Sequence, residues 1–291
     1  MKKINKGITL LVIPFLLASC SNKQPSVDVE DARRIAGIIA GKISTSTSPY
    51  EVPDSYKIVS EIKEREYEKK NGNKVESKGC IKTTLLYSQA KNVFYKETSF
   101  YLLSNGEEEK RLERMWLVVE KDKVCDYYVS DYGGKTNYNY GELEGVDYIK
   151  SYARETFKIS NDSLISVLEF FRFSTTAPDS QSYPSNAVNT YEYYYGSKNE
   201  ESIQIKEKTI VEVDDFVDEK GIHNFGKQTS ENQIVIEDCI MKSAAINVSL
   251  AGGLVDKSEE YGQYANTRYS YSKFTSVPKL DKKLWNSVKN K

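Results

Sequence analysis

Histidine is almost missing from this chain of 291 residues: His223 stands alone. Proton-relay or metal chemistry built on imidazole therefore has a single starting point. The short motifs of common chemistries are missing too. There is no GxSxG, hence no nucleophile elbow. Neither GxxxxGK(S/T) nor GxGxxG occurs. Gly252-Gly253 follows a strand pattern but lacks the basic residue and helix that a phosphate cradle needs. Asp214, Asp215, Asp218 and Glu219 lie near His223, yet Val217-Asp218-Glu219-Lys220-Gly221 reads as a solvated turn between two strands, and its spacing fails the EF-hand pattern. The acids of 61–69 alternate with lysine and arginine and read as a solvated strand face. Nothing selects a carboxylate pair. The expectation is a protein that is not an enzyme, with no catalytic residue, cofactor or metal.

Cysteine is scarce. Besides Cys20 there are Cys80, Cys125 and Cys239, with no CxxC or zinc spacing. That excludes a disulfide scaffold, and buried free thiols are expected. An excess of one charge sign is lacking as well, with 41 basic and 42 acidic residues. The first nineteen residues hold three lysines and no acid, leaving 38 against 42 in the remainder. Nucleic acid is excluded as a partner on that balance, and broad attraction to anionic headgroups is argued against. Tyrosine is what the chain has in quantity, 22 of them against ten Phe and two Trp. Its ring buries while its hydroxyl stays wet, which suits pleated sheet surfaces and interfaces.

The one long apolar run sits at the start. Lys2, Lys3 and Lys6 precede Ile8–Ala18, and Leu17-Ala18-Ser19-Cys20 follows. Charged region, short apolar region and small residues at a cut are the layout of a secretory signal. The run is shorter than the roughly 20 residues a membrane-spanning helix needs. The last four residues resemble the lipobox of bacterial lipoproteins. That resemblance implies cleavage before Cys20, lipid attachment to its thiol, export, and anchoring at the extracytoplasmic face of the cell membrane. Acyl chains anchor strongly, since each buried methylene adds about 0.8 kcal/mol. Residues 1–19 are then signal, and 20–28 a lipidated cysteine with a polar tether.

Residues 29–275 read as one domain, followed by a basic tail over 276–291 that holds Trp285. Ala32, Ile35, Ile39 and Ile43 predict a helix over 29–43. Alternation predicts strands at 55–69, 74–88, 91–103, 110–121, 124–131 and 135–140, with turns at Asn105-Gly106 and Gly133-Gly134. Helical spacing returns over 144–157 and 162–173. Strands follow at 187–196, 202–215, 233–250 and 261–275. The fold class expected is α+β: a large curved antiparallel sheet on about three helices.

This element order is similar to the LolA/LppX-like half-barrel family of lipoprotein carriers. The resemblance implies a curved sheet wrapped around helices, with an apolar cavity between them. Phe157, Phe170, Phe171, Phe173 and Trp116 would line that space or fill it. The function expected is binding or carrying an apolar or amphipathic ligand such as lipid. The alternative is adhesion to a protein partner through a tyrosine-rich face including Tyr191, Tyr193, Tyr195, Tyr269 and Tyr271.

Overall fold

The computed structural model describes residues 29–44, 53–70, 73–104, 106–143, 145, 147–157, 201–217, 223–254 and 259–289. Helix α1 (Val29–Ser44) comes first. Six strands follow: β1 (Ser55–Lys70), β2 (Asn73–Ser88), β3 (Val93–Ser104), β4 (Glu107–Glu120), β5 (Lys123–Tyr132) and β6 (Lys135–Leu143). Helix α2 is described over 148–157. Then come β7 (Ile203–Val217), β8 (His223–Glu237), β9 (Ile240–Leu254), β10 (Glu259–Ser272) and helix α3 (Lys282–Lys289).

The ten described strands form one antiparallel sheet in the order β6-β5-β4-β3-β2-β1-β10-β9-β8-β7. Two up-and-down runs, β1–β6 and β7–β10, are joined where β1 pairs with β10 from Lys57↔Ser272 to Lys70↔Glu259. The outermost strands of the two runs, β6 and β7, are the two edges, so the sheet is open. Helix α2 follows β6 at one edge, and β7 lies at the other. The architecture is thus α+β with a large open antiparallel sheet. The segments expected as a helix at 162–173 and a strand at 187–196 lie outside the described residues.

Hairpins set the register. Lys121-Asp122, Gly133-Gly134 and Asp238-Cys239 all carry positive φ at both positions, the type I′ geometry that matches strand twist. The last of these corrects one expectation. Residues 233–250 are not one strand; they turn at Asp238-Cys239 and belong to β8 and β9. No glycine or asparagine marks the turn. It is held from outside, where the Cys239 amide donates to the Glu201 carbonyl (2.8 Å) and the Asp238 amide to the Ser202 hydroxyl (3.2 Å).

Successive residues alternate between two sheet faces. On the first, Ile35, Ala36, Ile39 and Ala40 of α1 and Ile149, Ala153 and Phe157 of α2 are buried. Their spacing of three and four residues puts each set on one helix stripe. They meet Tyr56, Ile58, Leu85, Tyr87, Phe94, Leu117, Ile203, Ile234 and Tyr269 from the strands. The Tyr56 hydroxyl donates to the Ala153 carbonyl (2.9 Å), and Phe157 lies 5.0 Å from the Tyr56 ring.

The second face has its own core. Leu86, Tyr95, Trp116, Cys125 and Tyr127 bury against Trp285 of α3, with Phe274, Val277, Leu280 and Val288 beside them. The basic C-terminal segment is therefore a strap across the sheet. Trp116 donates its indole N–H to the Pro278 carbonyl (3.0 Å). Asp281 caps α3, accepting from the Lys283 and Leu284 amides. Lys289 closes the strap on Glu120 (2.9 Å) and lies over the Tyr140 and Tyr127 rings. Trp116 thus does not share the space beside α1 and α2 with Phe157: one step of strand parity sends it to the opposite face.

Candidate ligand-binding face

On the α1 face the buried strand residues are confined to one end of each strand: Tyr56 and Ile58 of β1, Leu85 and Tyr87 of β2, Phe94 of β3. Farther along, the same face continues as an apolar strip. Sheet register places Ile246, Thr267, Ile62, Ile81 and Phe100 side by side across β9, β10, β1, β2 and β3. Five neighbouring strands span about 19 Å at roughly 4.8 Å per step. Ile62 is 38% exposed and Ile81 40%. Val248 and Leu102 lie one inward-facing position farther out, and Leu250 and Val75 continue the strip.

A cavity of about 500 Å³ opens at the outer end, lined by Leu250, Val75, Tyr261, Glu66, Glu68 and Gln263 among others. That volume lies within the usual range for small-molecule pockets. The Gln263 amide donates to Glu66 (3.0 Å). Val75 at 53% and Tyr261 at 45% are among the most exposed large apolar side chains described. Carboxylates enter the outer part of the strip along its middle strand, with Glu64, Glu66 and Glu68 on alternate positions of β1. A floor that is apolar at the Ile62–Ile81 level and acidic toward its outer end can hold a chain-like apolar group while keeping a polar end in water.

Two polar groups on this face lack partners. The Tyr269 hydroxyl is buried without a hydrogen bond, and burial raises its pKa. Asp126 has a buried oxygen without a partner, and burial alone pushes its carboxyl above the ordinary range. Buried polar groups are nearly always satisfied, so both are positions of stored cost.

The α3 face holds a second cavity, about 530 Å³, between the strap and β3–β6. Glu97 accepts from Arg114 Nε and from the Tyr95 hydroxyl, both at 2.8 Å. Burial works against the Glu97 charge, but the hydrogen bonds from Arg114 and Tyr95 outweigh it and hold the carboxyl below its usual range.

The residues singled out from sequence fall as follows. Cys20 and the segment before it lie outside the described residues. His223 opens β8, Asp214 and Asp215 belong to β7, and Asp218 and Glu219 are not described. Among the described residues no group of three His, Cys, Asp or Glu could hold a metal ion. Cys80, Cys125 and Cys239 are free thiols, the last two buried. Tyr269 is buried and Tyr271 packs on the core against Phe157, so neither presents an adhesive surface. Tyr191, Tyr193, Tyr195, Phe170, Phe171 and Phe173 lie outside the described residues. Among those described, no helix is long and apolar enough to cross a membrane. The strip itself escaped sequence reasoning. Ile62 sits in a charged run, and only pairing with Ile81 and Phe100 makes it part of an apolar surface.

No protein-family model matches the chain. No curated protein matches it either. Among solved structures it is similar to a DUF1329 family protein from Desulfovibrio piger, at 9% identity and a TM-score of 0.17, over 86% of this chain and 95% of that one.

Proposed function

We propose that this chain is an exported lipoprotein, anchored through lipid on Cys20, that is not an enzyme. It binds an apolar or amphipathic ligand such as a lipid in a half-barrel of the LolA/LppX kind. The observation that carries the binding role is the strip Ile246–Thr267–Ile62–Ile81–Phe100. It is the continuation of a helix-covered core face, it ends in a cavity, and its central isoleucines stay exposed. Contiguous apolar surface of this kind marks interaction sites. The lipobox-like Leu17-Ala18-Ser19-Cys20 supports the anchor.

Native mass spectrometry tests the binding role on the chain from residue 20 with Cys20→Ser, purified without detergent; it keeps every described residue. The expected result is a co-purified lipid mass that leaves on denaturation. Ile62→Gln with Ile81→Gln should weaken that binding by about tenfold, near 1.4 kcal/mol. An apo mass that stays unchanged when lipid is added would remove the proposal.

A further inference from the structure

Strand parity sorts charge between the two sheet faces. On the outer half of β1, Glu64, Glu66 and Glu68 face the α1 side, while Lys63, Arg65 and Lys69 face the opposite side. Lys69 is balanced by Glu260 across the strand pair, and two further groups of α3-side residues are unbalanced. Glu61 is surrounded by Lys63, Lys82 and Arg268, which hold its carboxyl below the usual range. Glu76 is shared by Arg65, Lys74 and Lys78. Six bases on β1, β2 and β10 thus share two carboxylates, and the patch carries an excess of four positive charges. Lys63 and Lys74 are 49% exposed at the side chain, and Lys78 is 45% exposed. Tyrosine interleaves the bases. Tyr264 is 43% exposed, and the Tyr67 ring packs against Gly262, where a Cβ would collide with it, with Lys74 5.0 Å from its centre.

We propose that this basic, tyrosine-bearing patch is a docking surface for anionic lipid headgroups, seating the sheet with its α3 side on a membrane. Charge complementarity selects the partner: exposed lysine and arginine attract anionic lipid within a Debye length of the surface. Tyrosine places an apolar ring and a wet hydroxyl at that same interface. The orientation turns the acidic, apolar α1 face away from the headgroups, which repel its carboxylates. The chain's near-zero net charge conceals the patch, because acids elsewhere in the chain balance it. The docking stands apart from ligand binding and requires no lipid on Cys20.

Co-sedimentation with vesicles tests it, using the chain from residue 20 with Cys20→Ser. Binding is expected to vesicles of phosphatidylcholine mixed with phosphatidylglycerol, to fall with added salt, and to be absent with phosphatidylcholine alone. Lys63→Gln, Lys74→Gln, Lys78→Gln and Lys82→Gln together neutralise the excess and should lower affinity roughly a thousandfold. The same net change made with Lys70→Gln, Arg111→Gln, Lys150→Gln and Arg154→Gln should leave it within about twofold, since those residues lie off the patch. Equal binding to both vesicle types would overturn the proposal, as would equal loss in the two variants. So would binding to soluble polyphosphate but not to vesicles. The salt and lipid dependence of the unsubstituted chain decides the question even if a quadruple variant folds poorly.

Discussion

Trp285→Ala should release the C-terminal strap. Trp285 is 3% exposed and lies with its ring 5.0 Å from Tyr127 and 5.6 Å from Tyr138. A buried tryptophan removes roughly 150–250 Å² from water, which at about 25 cal/mol per Å² is worth some 4–6 kcal/mol. Alanine keeps a small part of that, so a loss of about 4 kcal/mol is expected, within the range for such truncations. What remains to hold the strap is the Lys289–Glu120 pair, the Trp116–Pro278 hydrogen bond and the smaller apolar contacts. An exposed ion pair contributes at most about 1 kcal/mol. The strap should therefore detach at denaturant concentrations well below those that unfold the sheet. The chain has two tryptophans, and both sit in this cluster. In the variant, Trp116 alone reports. Its emission should shift to the red and become quenchable by iodide at low urea, while far-ultraviolet dichroism still shows the sheet. A Trp116 signal that stays blue and shielded until global unfolding would refute the reasoning, because the strap would then be held without Trp285.

Two further outcomes concern the partnerless polar groups. Tyr269→Phe removes a buried hydroxyl that has no hydrogen bond, so it should leave the urea midpoint unchanged or raise stability by up to about 1 kcal/mol. A loss above that would mean that the hydroxyl has a partner. Asp126 has its folded-state pKa raised by burial, so the folded state binds a proton more tightly than the unfolded chain. Its contribution is then fully present below the unfolded value, near 3.9, and is lost as pH rises through the folded value. Asp126→Asn should stabilise the protein at pH 7 by about 1 kcal/mol and remove this dependence, as read from thermal midpoints across the acid range.

Much of the fold was legible in the sequence because alternation and helical spacing are local. The α1 stripe, the first six strands and the Gly133-Gly134 turn follow from residues that are neighbours along the chain. The missed turn at Asp238-Cys239 shows the limit. Its residues take positive φ without a glycine, and the hydrogen bonds that hold it come from Glu201 and Ser202. The alternating charges of 61–69 were legible as a solvated strand. Alternation at period two, however, divides them between two faces rather than spreading them over one, and the meaning of each face depends on its neighbours.

The sequence by itself did not determine helix α3 or the split of 233–250 into β8 and β9. It did determine the type of most elements, the α+β class, and the apolar and charged periodicities that most strands carry into the sheet. These depend on steric preference and on the pattern of one short segment. Only the tertiary structure decided that β1 and β10 meet at the centre of an open sheet, that α1 and α2 cover one end of one face, and that the C-terminal strap covers part of the other. Those choices depend on which apolar faces find each other across long stretches of chain. A residue's own neighbours in sequence carry no information about that. The exposed Ile62–Ile81 strip and the basic patch behind it exist for the same reason: each is assembled from single residues of separate strands, and pairing register alone brings them together.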